Sequence, residues 1–107
     1  MKRYDIYWAD LEPVQGSEIG KTRPVVLVGL DALNKALATV TVCPMTSQLH
    51  PGWRSRLQII CAGKPAEIAV DQIKTISKQR IKRKMGSLLE SEASALRRVI
   101  VEMFGEP

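Results

Sequence analysis

Three stretches of this chain carry side chains whose types and spacing could act on a phosphate group. The first, Pro13 to Leu27, is a polar, glycine-containing loop that delivers Arg23-Pro24 into the apolar run Val25-Val26-Leu27. A residue before proline is confined to extended conformations, so Arg23 is fixed at a strand entrance. A planar guanidinium held there can grip a phosphate through two hydrogen bonds. The second stretch, Val42-Cys43-Pro44-Met45-Thr46-Ser47, ends an apolar strand and at once presents two hydroxyls. The third is Val70-Asp71-Gln72-Ile73-Lys74-Thr75-Ile76. Each also has a structural reading. Arg23 could pair with Glu18 or Asp71, the loop glycines could simply permit a turn, and Thr-Ser is a common way to begin one.

Charge adds a direction without fixing the partner. Lys and Arg number 16 against 11 Asp and Glu, a formal charge of +5, which favours polyanionic or acidic partners. Between residues 74 and 84, Lys74, Lys78, Arg80, Lys82, Arg83 and Lys84 stand with no acid among them. Such a run can neutralise backbone phosphates and make binding salt-sensitive, or can be a solvated face. Trp53 and Arg54 could stack on unpaired bases, although Trp53 could instead close the end of a barrel or a dimer contact. His50, the single histidine, sits in Gln48-Leu49-His50-Pro51-Gly52 and reads as a solvated loop residue. Its ordinary titration near neutrality nevertheless makes it a conceivable base.

Length and composition bound the class. With 107 residues, of which 45% are hydrophobic, the chain suits one domain over 1–107 with a modest core. A chain this small leaves much surface exposed, so a homodimer is expected. Cys43 and Cys61 lack any CxxC or CxxH pattern and read as reduced core thiols. No metal site and no cofactor is indicated. The opening residues do not resemble a signal segment, and no apolar run approaches the roughly 20 residues that span a bilayer, so a cytoplasmic location without membrane contact is expected.

The elements that must position these groups are mostly strands. Tyr4 to Leu11, with Tyr, Ile and Trp, reads as a strand, and Glu12 to Lys21 as a long loop. Val25-Val26-Leu27-Val28 and Thr39 to Cys43 read as buried central strands flanking a segment from Asp31 to Ala38. A second loop runs from Thr46 to Arg56. Shorter strands follow at Leu57 to Cys61, Glu67 to Val70 and Gln72 to Ile76, with Gly63-Lys64-Pro65 as a turn. Lys78 to Met85 is either a last strand or irregular. From Ser91, Ala93, Leu96, Ile100 and Met103 or Phe104 fall on one helical face, with Ser91 as N-cap or an earlier start through Ser87 and Glu90. Five to seven short strands and one late helix describe a mainly β, SH3-like small barrel.

Taken together and in order, the three motifs resemble the MazF/PemK/Kid family of toxin endoribonucleases. The resemblance extends from Tyr4-Asp5-Ile6-Tyr7-Trp8-Ala9-Asp10-Leu11-Glu12-Pro13 to the terminal helix. It implies a PemK/CcdB-type barrel, a homodimer, cleavage of single-stranded messenger RNA at a short sequence, and inhibition by a cognate antitoxin whose acidic C-terminal segment fills the RNA groove. By the same resemblance Arg23 and Thr46 match the family's catalytic pair. Ser17, Ser47, Asp71 and Gln72 match positions that contact substrate or shape the site, and Asp5 matches an acid implicated in some members. Two features do not transfer. Some members carry a histidine where this chain has Ser17, and an arginine two residues before the conserved acid, where this chain has Ala69.

Without a metal, the simplest cleavage is attack by the substrate's own 2′-hydroxyl on phosphorus, giving 2′,3′-cyclic phosphate and 5′-hydroxyl ends. Arg23 suits stabilisation of developing phosphoryl charge. It suits proton removal badly, and so does the Thr46 hydroxyl. Glu18 or water is the expected helper. A nonenzymatic, gyrase-binding CcdB-like toxin and a catalytically weak RNA-binding relative are the alternative readings on the same barrel.

Overall fold

The computed structural model describes residues 1–106. Seven strands and two α-helices follow in the order β1 (Asp5–Asp10), β2 (Thr22–Leu27), α1 (Asp31–Ala36), β3 (Thr39–Thr46), β4 (Arg56–Cys61), β5 (Lys64–Ala69), β6 (Lys74–Ser77), β7 (Ile81–Ser87) and α2 (Glu90–Phe104). Short 3₁₀ turns at Val70–Gln72 and Lys78–Arg80 flank β6. The strands form a curled antiparallel sheet in the order β4-β5-β3-β2-β1-β7, with β6 also on β3. It is a half-barrel whose end strands, β4 and β7, do not pair with each other.

β3 makes the curl. One edge pairs with β2 through Val42 to Pro44. The other pairs first with β6 through Thr39 to Val42, then with β5 through Met45 and Thr46. Pro44 lies where that second edge changes partner, so its missing N–H costs no ladder bond. Because β2 and β3 bury side chains on both faces, two apolar clusters form. Val26, Cys43, Met45 and Ile68 pack with Leu96 of α2 on one side. Val25, Leu27, Val40 and Val42 pack with Ala9 and Leu11 on the other. Continuous apolar runs are what strands buried on both faces require.

Several boundaries differ from the sequence reading. Gly63-Lys64-Pro65 is not the turn: Lys64 and Pro65 already pair with Cys61 and Ile60. The hairpin closes on Ala62 and Gly63, both at positive φ (51° and 79°), as a two-residue turn demands. Gln72 belongs to the 3₁₀ turn rather than to the strand, which begins at Lys74. The Asp31 segment contains α1. Neither Ser91 nor Ser87 caps α2. Leu89 is the N-cap residue, and its N–H donates to Glu92 Oε1 at 2.8 Å. Ala93 and Leu96 are buried as the helical spacing required, but Met103 and Phe104 overhang the sheet and stay exposed. Among the described residues no helix is long and apolar enough to cross a membrane.

Candidate active site

Arg23 and Thr46 reach the same place from adjacent strands. β2 and β3 pair Val25 with Pro44, and continuing that register sets Arg23 opposite Thr46. Both residues, with Ser47, line one groove of about 480 Å³ whose walls include Trp8, Pro24 and Met85. Arg23 Nε donates to the Gly20 carbonyl at 3.3 Å, which anchors the arm. Among the described residues Arg23 makes no ion pair, so neither Glu18 nor Asp71 neutralises it. Among the described residues its terminal nitrogens have no hydrogen-bond partner. Thr46 Oγ1 accepts from the Gln48 N–H at 3.1 Å, which fixes the hydroxyl and leaves its proton to be donated.

Thr46 also borders a second, polar cavity of about 310 Å³, lined by Ser17, His50, Trp53, Arg56, Asp71 and Gln72 among others. Two distant segments meet there because Gln72 pins the first loop. Its Oε1 accepts from Ile19 N–H at 2.7 Å, and its Nε2 donates to the Ser17 carbonyl at 3.3 Å. Within that loop Glu12 Oε1 accepts from Lys21 N–H at 2.5 Å. A side chain at Gly20 would place a Cβ 2.6 Å from that oxygen and 2.7 Å from Val14 Cγ2, so the close approach favours glycine.

Arg56 and Asp71, which border the second cavity, belong to an ion network that the sequence reading missed. Arg56 donates from Nε and Nη2 to Asp71 at 2.7 and 3.3 Å, and from Nη1 to Glu67 Oε2 at 2.6 Å. Its side chain is 5% exposed, and that of Glu67 is fully enclosed. Burial pushes the Glu67 carboxyl up, but hydrogen bonds from Gln58, the His50 backbone, Arg56 and the His50 ring outweigh it and hold the group at about 2. For Asp71, burial likewise raises and Arg56 and Ser55 lower, with a net shift downward. One signal was available. Glu67 stands in the apolar run Ala66 to Val70, and a carboxylate there needs a cation, which Arg56 at the start of the neighbouring strand supplies.

His50 is partly exposed but held in place rather than free in its loop. Its ring stacks on Trp53 with centroids 3.9 Å apart, and Nδ1 lies 3.3 Å from Glu67 Oε2. Arg56 also lies over the Trp53 ring at 4.8 Å, so the indole is clamped although half-exposed.

Other candidates sit apart. Glu18 lines neither cavity, and its Oε1 accepts from Gln15 N–H at 2.7 Å, clasping its own loop. Arg54 turns the other way and pairs with Glu102 of α2. Asp5 is buried at the start of β1, accepting from Ser87 Oγ at 2.8 Å and Lys2 N–H at 2.9 Å, with Lys84 Nζ 3.5 Å away. Burial raises its pKa, and these partners bring it below the ordinary aspartate value. Asp5 therefore reads as a strand-end anchor, outside both cavities. Of the basic run, Arg80 is consumed by the carbonyls of Asp10 and Glu12, whereas Lys82 and Arg83 are exposed and without a carboxylate partner among the described residues. Cys43 is a core thiol, pushed up to about 12 by burial and by Asp71. Cys61 is only partly covered: it packs against the edge of the core and also borders the first groove.

Comparison with known proteins shows the family and the fold. Residues 2–104 match the family described as PemK-like, MazF-like toxin of type II toxin-antitoxin system. The endoribonuclease MazF of Staphylococcus saprophyticus is 34% identical over 108 residues, covering 94% of this chain and 88% of its own. Among solved structures, Mycobacterium tuberculosis toxin MazF-mt6 superimposes with a TM-score of 0.81 at 25% identity, covering 96% of this chain and 98% of that one. A mycobacterial endoribonuclease in complex with its cognate antitoxin gives 0.83 at 17% identity, covering 100% and 97%, a likeness of fold.

Proposed function

The chain belongs to the PemK-like, MazF-like toxin family of type II toxin-antitoxin systems, and from that premise we propose that Arg23 and Thr46 are the catalytic pair of a sequence-specific endoribonuclease acting on single-stranded messenger RNA. The observation that carries the reading is that an unneutralised guanidinium and an oriented hydroxyl line one groove. In the proposed reaction the ribose 2′-hydroxyl attacks phosphorus and the bond to the 5′-oxygen breaks, leaving a 2′,3′-cyclic phosphate. Arg23 meets the charge that develops on the phosphoryl oxygens, where preorganised donors act most strongly. Thr46 donates a hydrogen bond that holds the phosphate in line. No metal is needed to supply the nucleophile.

Ser47 borders the same groove as the pair, and Ser17, Asp71, Gln72 and Trp53 border the adjoining cavity. A flanking nucleotide can lie there, its base stacking on the exposed part of Trp53. Lys82 and Arg83 supply the salt-sensitive attraction. A relative of the same fold is solved with its cognate antitoxin, which supports an acidic antitoxin segment competing for this basic groove in the cytoplasm. Exposed Ile60, Leu89 and Phe104 support a homodimer, to be checked by light scattering at micromolar concentration.

The test is incubation of purified protein with a long single-stranded RNA in EDTA, followed by mapping of the ends. Discrete cuts with 5′-hydroxyl and cyclic phosphate ends, and none on DNA of the same sequence, are expected. Intact RNA would favour a gyrase-binding or inactive relative.

A further inference from the structure

Neither Arg23 nor Thr46 is a plausible proton acceptor, and Glu18 is committed to its own loop. The cavity that shares Thr46 holds a better candidate. We propose that His50, oriented by Glu67, is the general base of the cleavage reaction. The inference rests on the ribonuclease reading above and names the residue that this reading leaves open.

Three observations support it. First, His50 and Thr46 line the same cavity, so the imidazole stands beside the groove where the phosphate would sit. Second, the ring is held on both its face and its edge. Trp53 stacks on it at 3.9 Å, and Glu67 accepts from its backbone N–H at 2.5 Å and faces Nδ1 at 3.3 Å. Glu67 is fully enclosed and bonded to Arg56 and Gln58, so it is a fixed anion. Third, Arg56 Nη1 lies 3.4 Å from Nδ1, but the guanidinium is already donating to Glu67 and Asp71 through all three of its nitrogens. With its Nδ1 hydrogen donated to Glu67, the ring keeps a lone pair on Nε2.

Among the described residues Nε2 has no partner, and it is not sealed away either, since Tyr4 Oη is the one buried side-chain polar atom without a hydrogen bond. A carboxylate on one imidazole nitrogen with the other open to a cavity is the arrangement that sets a histidine's tautomer for proton transfer. The charged groups facing the ring are Glu67 of β5, Arg56 of β4 and, behind them, Asp71 of the 3₁₀ turn. In the step itself the 2′-oxygen bonds to phosphorus, its proton passes to His50 Nε2, and the departing 5′-oxygen takes a proton from water. The imidazolium then returns its proton to solvent.

Single-turnover cleavage of a single-stranded RNA should be followed against pH for the parent, His50→Ala, His50→Gln and Arg23→Ala, with circular dichroism confirming the fold. General-base catalysis contributes about 10²- to 10⁴-fold, so both His50 variants should slow by ~10²-fold or more. They should also lose the acid limb along which the parent rate falls tenfold per pH unit, and added imidazole should partly restore His50→Ala. If Arg23→Ala is impaired while folded His50 variants keep the parent rate and profile, the proposal is overturned and the nuclease reading survives. If the parent itself leaves every RNA intact, both fall.

Discussion

Arg23 near the start of β2 and Thr46 at the end of β3 line one groove. Their meeting follows from the ladder, which pairs Val25 with Pro44 two residues from each of them. Removing the guanidinium by Arg23→Ala should reduce the single-turnover cleavage rate by about 10²-fold or more, because a preorganised donor to developing charge is lost. Arg23→Lys should recover part of it, since an ammonium keeps the charge but not the fork. A near-parental rate for Arg23→Ala would remove it from the chemistry.

Arg56 is predicted to matter first for stability. It joins Glu67 and Asp71, and its removal leaves an enclosed carboxylate without its cation. Breaking such a buried pair costs about 3–5 kcal/mol, so Arg56→Ala should unfold at markedly lower urea concentration. Arg54→Ala, which severs an exposed pair with Glu102, should change stability by ~1 kcal/mol or less.

Acid should unfold the protein partly through Glu67. Its carboxyl is held at about 2 when folded against an ordinary value of 4.5, so the folded state favours the ionised form. The stability this confers is complete above the unfolded value and drains away as pH falls from about 4.5 to about 2. Glu67→Gln should be less stable at neutral pH and should show a shallower loss across that window in urea titrations. An unchanged slope would mean that other carboxylates govern acid unfolding.

Gln72 is predicted to act through the first loop. Its side chain ties the Ile19 N–H and the Ser17 carbonyl to the 3₁₀ turn. Gln72→Ala should speed amide exchange at Ile19 and raise KM for RNA several-fold with a smaller effect on kcat, because the loop loses its position rather than its chemistry. Equal exchange in both proteins would show that the loop is held by other contacts.

The sequence by itself determined a strand-rich fold with a late helix, and the resemblance carried by its ordered motifs pointed to Arg23 and Thr46. Apolar runs, turn residues and an arginine locked before proline are local signals, and ordered motifs report register indirectly. Helix capping by Leu89 and Glu92, and the Ala62-Gly63 turn, were misplaced by one or two residues because several polar residues nearby satisfy the same rule. What only the tertiary structure decided was the polar cavity. His50 lies in a loop, Arg56 opens β4, Glu67 sits within β5 and Asp71 in the turn after it. Nothing in their spacing says that they meet until β4 and β5 pair, setting Arg56 across from Ala69 and Gln58 across from Glu67. A buried carboxylate can persist only where the fold brings donors to it from several elements at once, and that convergence is a property of the packed sheet.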